Sequence, residues 1–173
     1  MTDKKEKILK SALELFANEG VNATSTNKIA IKASVSEGLI FKHFKNKKAL
    51  LNAIMERVEE KVAALFVNIL QQDVAELVIK KTIELPFSIK KSEYDYWKLQ
   101  FKLKWEQEYN NPKKMQPLID KLTWAFTELN YESPKMEAQL MNHILDAISS
   151  EILKGNFNNA NQFKQFLNNK YSV

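Results

Sequence analysis

The sequence predicts an all-α fold, and three observations predict it. Three Gly and four Pro are spread over 173 residues, so helix breakers are few. Between the breakers, apolar residues recur at three- and four-residue spacing, the period of one helix face. Signals for strands are few. With 45% hydrophobic and 27% charged residues the chain falls in the globular class and is long enough to bury a sizeable core.

Each element follows from that spacing and its punctuation. From Lys4 to Glu19, Ile8, Leu9, Ala12, Leu13, Leu15 and Phe16 form an apolar stripe among Lys and Glu, and Gly20 closes the helix as a C-terminal cap. Thr24, Ser25 and Thr26 are candidate N-caps before Ile29 and Ala30. Ser36 is another before Leu39 and Ile40, which gives two short helices, the later one roughly Glu37 to His43. Asn46-Lys47 then opens a longer pattern through Leu50, Leu51, Ile54, Val58, Val62, Leu65, Phe66 and Ile69. It predicts a helix of about 24 residues, about 35 Å at 1.5 Å per residue. Beyond residue 72 the breakers are Pro86, Asn110-Asn111-Pro112, Ser133-Pro134 and Gly155-Asn156, which leave about five helices. Asn156 to Asn161 is polar but short, and there is no internal repeat or low-complexity tract.

Residues 24–47, TSTNKIAIKASVSEGLIFKHFKNK, combine a two-helix spacing with hydroxyls, a His and several Lys. Ala30 and Ile40 lie ten residues apart across the polar turn Ser34-Val35-Ser36. A small residue on one helix there lets the next cross it closely, the arrangement of a helix-turn-helix.

Charge divides unevenly along the chain. Residues 1–50 hold ten Lys and five acidic residues, whereas residues 51–173 hold sixteen basic and sixteen acidic ones, so the whole net charge of +5 lies in the first fifty. A localised basic patch is the footprint of a module that meets polyanion. The competing reading of the same charge is a Lys-rich solvated face.

Other classes find little material. Without Cys there are no disulfides, thiol catalysis or Cys-based zinc sites. Two His and no compact carboxylate cluster make no metal site, and no nucleophile elbow or phosphate-binding glycine loop is present. We therefore expect no enzyme, no cofactor and no metal. The start MTDKKEKILK has no apolar core, and no window approaches eighteen consecutive apolar residues, so the expected location is cytoplasmic, without membrane contact. His143, among Leu140, Ile144 and Leu145, reads as structural.

The aromatic-rich segment Tyr94, Tyr96, Trp97, Phe101, Trp105 and Tyr109, followed by Trp124 and Phe126, is the best source of a small-molecule pocket. Tyr94, Trp97, Phe101, Trp105 and Trp124 are its candidate lining residues. Asp95, Glu106 or Glu108 beside aromatic rings would favour a cationic or hydrogen-bonding effector. Trp97, Phe101 and Trp105 at four-residue spacing also make a stripe that any helix would bury, so core packing competes with this reading.

Ile8-Leu9, Ala12, Leu15-Phe16, Gly20, Thr24-Ser25, Ile29-Ala30, Ala33, Val35-Ser36, Gly38, Ile40, Phe41, His43-Phe44, Lys47 and Leu50-Leu51 together resemble the N-terminal signature of TetR-type transcriptional regulators. The likeness runs over residues 8–51 and does not reach the rest of the chain. It implies a three-helix head with a helix-turn-helix, residues 1–46, and an effector-binding and dimerisation body, residues 47–173. It implies double-stranded operator DNA as partner, a homodimer, and repression relieved by an unknown small molecule. Carried over by position, Thr24 or Ser25, Lys47, and His43 with Phe41 match backbone-contacting positions. Ser36, Glu37, Leu39 and Lys42 match positions facing base edges, and Gly38 lies among them.

The chain departs from the family pattern at three places. Ser34 stands where Gly is usual, at a cost of about 1 kcal/mol if a left-handed turn is kept. Phe41 replaces a common Tyr and loses a phosphate donor. Glu37 replaces a frequent basic residue; it suits a helix N-terminus but is repelled by phosphates unless it finds a base donor. These departures motivate the alternative, a helical ligand- or protein-binding module with a degenerate helix-turn-helix. The expected dimer surface is on the late helices, about 115–154, where Leu118, Leu122, Ala125, Leu140, Ile144, Ala147 and Ile148 form stripes.

Overall fold

The computed structural model describes residues 3–104, 106, 109 and 112–173. They form nine α-helices and no strand: α1 (Asp3–Glu19), α2 (Thr26–Ala33), α3 (Glu37–Phe44), α4 (Lys47–Leu70), α5 (Ala75–Ser88), α6 (Tyr94–Leu103), α7 (Gln116–Glu128), α8 (Pro134–Lys154) and α9 (Ala160–Tyr171). Short 3-10 turns at Lys91–Glu93 and Pro112–Met115 lead into α6 and α7. The fold is all-α, with an N-terminal helix-turn-helix followed by further helices. Among the described residues no helix is long and apolar enough to cross a membrane.

The chain packs as two compact units, Met1–Lys61 with Ser92–Asn110, and Val62–Lys91 with Asn111–Val173. In the first, α1 buries Ile8, Leu9, Ala12, Leu13, Leu15 and Phe16, the stripe its spacing defines. Gly20 follows at φ 95°, a left-handed turn that Gly adopts without a Cβ clash, and its N–H donates to the Phe16 carbonyl. The start of α4 adds Leu50, Leu51, Ile54 and Val58 to this core. Trp97, Leu99 and Leu103 of α6 are buried in the same unit, where α6 packs on α1. Lys102 Nζ of α6 donates to the Asn18 carbonyl near the end of α1 at 3.1 Å. α1 has no basic residue in its own last turn, so this ammonium from another helix meets its carbonyl end.

The second unit is built on α5, α7, α8 and α9, around Val78, Ile79, Ile83, Leu118, Leu122, Phe126, Met141 and Leu167. Phe126 anchors it, with Tyr131 edge-on at 4.9 Å and Tyr171 at 5.7 Å between ring centroids. Burial pushes the Tyr171 hydroxyl up to about 12. One expected breaker is corrected here. Pro86 does not end its helix; it lies buried inside α5, which continues to Ser88. Proline removes one N–H and crowds the carbonyl four residues back, but only two residues follow it, so little of the hydrogen-bond ladder is lost. Pro134 and Gly155 do punctuate as expected. The first opens α8, and the second closes it in a left-handed cap whose N–H faces the Glu151 and Ile152 carbonyls.

Candidate nucleic-acid interface

Ser25 is the N-cap of α2, in extended conformation, and its Oγ accepts from the Lys28 N–H at 3.1 Å. Ser34 ends the helix in the left-handed region, φ 54° and ψ 48°, while the Val35 N–H returns to the Ala30 carbonyl at 3.0 Å. The turn therefore keeps the geometry that favours Gly, with Ser in it. Ala30 is 2% exposed and Ile40 is fully buried, so the two helices meet where the ten-residue spacing puts them. Ile29, Ala33 and Phe44 are buried with them.

Burial of that face fixes what α3 shows outward. Ser36, Gly38, Phe41 and Lys42 are exposed, and Glu37, Leu39 and His43 are half-buried. The Ser36 hydroxyl makes no capping hydrogen bond, which leaves it available to an outside partner. A Cβ placed on Gly38 would meet nothing within 4 Å. Gly38 lies in the first turn of α3, and no steric contact in this fold requires a glycine there.

A tight turn joins α3 to α4. Lys45 has φ 64° and ψ −46°, and the Asn46 N–H reaches the Phe44 carbonyl at 2.7 Å. Backbone of this kind in a non-Gly residue is strained by about 1–3 kcal/mol. Asn46 Oδ1 then caps α4 by accepting from the Ala49 N–H at 2.8 Å.

The start of α2 left two candidates open, and the structure separates them by burial. Ser25 is exposed, whereas Thr24 is 1% exposed and its hydroxyl donates inward to the Gly20 carbonyl at 2.8 Å. The Thr24 side chain is thus a turn and packing group. Lys47 is half-buried, and its Nζ donates to the Val21 and Thr24 carbonyls at 2.9 and 3.0 Å. Two of its three protons are held by the loop before α2.

The excess charge of the head becomes local because its acids are occupied. Lys7 pairs with Asp3, Lys32 with Glu14 and Lys28 with Glu19. Arg57 holds Glu6, and Thr26 holds Glu37. Lys42 and Lys45 are exposed and make no ion pair among the described residues. Positive charge is left uncompensated at the C-terminal end of α3 and in the turn after it.

A second polar cluster joins α1, α4 and α6. Arg57 donates to both Glu6 oxygens and is hydrogen-bonded to Tyr96, while Lys61 pairs with Glu93 at 2.6 Å and lies 5.1 Å from the Tyr96 ring centroid. The hydrogen bond from Arg57 holds the Glu6 carboxyl below its ordinary value.

The aromatic pocket residues fall in different places. Tyr94, Trp97 and Phe101 are on α6 in the first unit, with Trp97 buried and the other two half-buried. Trp124 is on α7 in the second unit, under Lys121 Nζ at 4.1 Å. Trp105 and Glu108 lie outside the described residues. Trp97 Nε1 and Gln100 Oε1, one turn apart on α6, are buried with no hydrogen-bond partner among the described residues. A cavity of about 260 Å³ lies within the first unit, over Phe16, Leu99 and Leu103, with Glu19, Lys102 and Glu106 around it. The sequence reading did not single out Leu99, Lys102 or Leu103. Their only advance signal was helical spacing, which does not say which distant helix they meet.

Comparison with known proteins agrees with this architecture. Residues 8–54 match the family of bacterial regulatory proteins, tetR family. The HTH-type transcriptional regulator YerO of Bacillus subtilis is 43% identical over 56 residues, which is 32% of this chain and 19% of that one. The chain spans about a fifth to two-fifths of the length of such curated relatives. Solved structures are similar over nearly the whole length. A TetR-like transcriptional regulator from Rhodococcus sp. RHA1 superposes with a TM-score of 0.78 at 15% identity, over 95% of this chain and 91% of that one. A transcriptional regulator from Saccharomonospora viridis, in complex with choline, does so with a TM-score of 0.72 at 18% identity, over 98% and 95%. Fold and head thus define an all-α protein with an N-terminal helix-turn-helix, the architecture of these solved regulators. The likeness to the tetR family is carried in sequence by residues 8–54, and in fold by nearly the whole length.

Proposed function

We propose that this protein is a DNA-binding transcriptional regulator acting as a homodimer, a repressor released from a near-palindromic operator by a small-molecule effector. One observation carries the reading: α3 turns an open face outward, with Gly38 unobstructed, Ser36 uncapped, and Lys42 and Lys45 unpaired at its far end. An open glycine lets an outside surface approach the backbone closely, and free hydroxyls and amides at a helix N-terminus suit phosphate oxygens.

In this reading Ser25, His43 and Phe41 lie along the DNA backbone, with Lys47 adding charge from behind. Ser36, Glu37, Leu39 and Lys42 face base edges, where Lys reaches guanine, Leu lies against a thymine methyl, and Glu accepts from an amino group. One helix of this length fills one major groove. Useful specificity therefore needs two heads about 34 Å apart, hence a dimer and a two-fold site. Residues 1–46 are the DNA-binding head and 47–173 the effector and dimerisation body. This functional division differs from the compact units, because α6 packs with α1.

The dimer surface proposed is the outer face of α8, where Met136 and Leu140 are exposed by 65% and 47%. The effector site would draw on Tyr94, Trp97 and Phe101 of α6, which lie together in the first unit. The choline held by the Saccharomonospora protein is a quaternary ammonium, a cation that aromatic rings attract, and the same chemistry is open to this body.

The test is a fluorescence-anisotropy titration against DNA from upstream of the protein's own gene and a scrambled control, at two salt concentrations. Should that DNA lack the site, a site selected from random sequence replaces it. The reading expects a preference of about 10³-fold or more for the specific site and a steep loss of affinity with salt. Equal weak binding to every DNA sequence would overturn it in favour of a module whose helix-turn-helix no longer reads DNA.

A further inference from the structure

We propose that Thr26 is a positioning residue for sequence reading: it fixes the Glu37 carboxylate as a rigid acceptor at the start of α3. This rests on the DNA-binding reading above and adds a specificity determinant to it.

Thr26 and Glu37 are the first residues of α2 and α3. The Thr26 hydroxyl donates to Glu37 Oε1 at 2.5 Å, across eleven residues of sequence. That is the short range expected when a hydroxyl meets an ionised carboxylate. Neither group is needed for capping. Ser25 already caps α2 through the Lys28 N–H, and Glu37 follows the N-cap Ser36 directly, too early for the reciprocal bond that a glutamate three residues into a helix makes. No cation pairs with Glu37 among the described residues. The pair joins the N-termini of the two helices that form the reading module, and it leaves Oε2 as a pure acceptor.

An acceptor held there has a defined complement. In the major groove the donors are cytosine N4 and adenine N6, whereas guanine and thymine present only acceptors at the matching edge. A carboxylate on a free side chain could swing away from a wrong base and from nearby phosphates at little cost. Tied to Thr26 it cannot, so a base without an amino group meets a fixed negative charge. Glu37 then excludes sequences as much as it selects them, which accounts for an acidic residue on a face that otherwise suits polyanion.

The experiment is selection of binding sites from random DNA, with base preference scored position by position, for the wild type, Thr26→Val, Thr26→Ser, Glu37→Gln and the Thr26→Val/Glu37→Gln double variant. Thermal melting accompanies each. The wild type should select an amino-bearing base at one position in each half-site. Thr26→Val keeps the β-branched shape and removes the donor; it should lower discrimination at that position by about 10-fold and leave the others unchanged. Thr26→Ser should restore it. Glu37→Gln should change preference at the same position and raise affinity for random DNA, and the double variant should behave like Glu37→Gln alone. The proposal is overturned if Thr26→Val keeps the wild-type preference. It is also overturned if preference falls equally at all positions with a lowered melting temperature, which would mark a purely structural contact. A wild type that selects no sequence would sink the DNA-binding reading itself and this proposal with it, and is recognisable before any variant is compared.

Discussion

Arg57 of α4 holds both carboxylate oxygens of Glu6 on α1, with its two terminal nitrogens at 2.6 and 2.9 Å. The pair ties α1 to α4 across 51 residues of sequence, with the helix-turn-helix between its members in the chain. Two-point geometry makes it stronger than a single contact, but the Glu6 side chain is 46% exposed, so solvent screens much of the attraction.

Glu6→Gln should therefore destabilise the protein by about 1 kcal/mol or less at neutral pH, read as a lower urea midpoint. Its pH dependence has a definite sign. The folded Glu6 value lies below the ordinary 4.5, so the unfolded state takes up the proton first as pH falls. The stabilisation is fully present above 4.5 and is lost as pH drops through the folded value. Urea midpoints of wild type and Glu6→Gln should differ at pH 7 and converge only once the pH falls well below 4.5, past the folded value; a gap that persists there would show that packing, not charge, is at stake.

Gly38 should separate stability from function. Because its Cβ position is open and it lies in the first turn of α3, Gly38→Ala should raise stability by less than the roughly 1 kcal/mol of a helix-interior site in a melting experiment. The added methyl would stand where DNA approaches, so specific binding should weaken by about 10-fold or more in the same preparation. A variant that gains stability with unchanged affinity would show that DNA does not come close at this point.

Ser34→Gly should stabilise the fold. Ser34 holds φ 54°, where a side chain costs about 1 kcal/mol relative to Gly. Ser34→Ala, which keeps a Cβ, should gain nothing. Calorimetric melting of the three proteins decides it, and equal melting temperatures would mean that the Ser hydroxyl or the unfolded chain offsets the strain.

Much of this fold could be read from residues alone, and what could not shares one cause. α4 runs Lys47–Leu70, the span that Asn46-Lys47 and the periodicity to Ile69 define, because cap and stripe are both local. The burial of Ala30 and Ile40 was legible because a ten-residue spacing across a turn leaves little choice of crossing. Thr24 beside Ser25 was not resolvable, since either hydroxyl can cap a helix and only tertiary packing turns one inward. Pro86 read as a boundary because a local rule does not tell how near a helix already is to its end. Tyr94, Trp97 and Phe101 on α6 are in one unit and Trp124 in the other, a division that aromatic content along the chain does not encode. The bond from Thr26 to Glu37 and the one from Lys102 to Asn18 join residues 11 and 84 apart, and each exists only once helices have docked.

The proposed dimer rests on the outer face of α8, and a charge there should split it. Met136→Lys with Leu140→Lys places two ammonium groups where 65% and 47% of the native side chains are exposed, so the protomer itself should lose little stability. Sedimentation should then show monomer at concentrations where the wild type is dimeric, and operator affinity should fall with it. A double variant that stays dimeric would move the interface elsewhere.

The return of the chain to its starting unit bears on synthesis. α1 to α3 leave the ribosome first, but the side of α1 that Leu99 and Leu103 cover stays bare until residue 103 has been made. At about 5–20 residues per second, the nascent reading module waits several seconds between the end of α3 and the arrival of α6. Over that interval Phe16 and its neighbours are a surface that a chaperone could hold. A gene fragment ending after α4 would leave that surface exposed permanently.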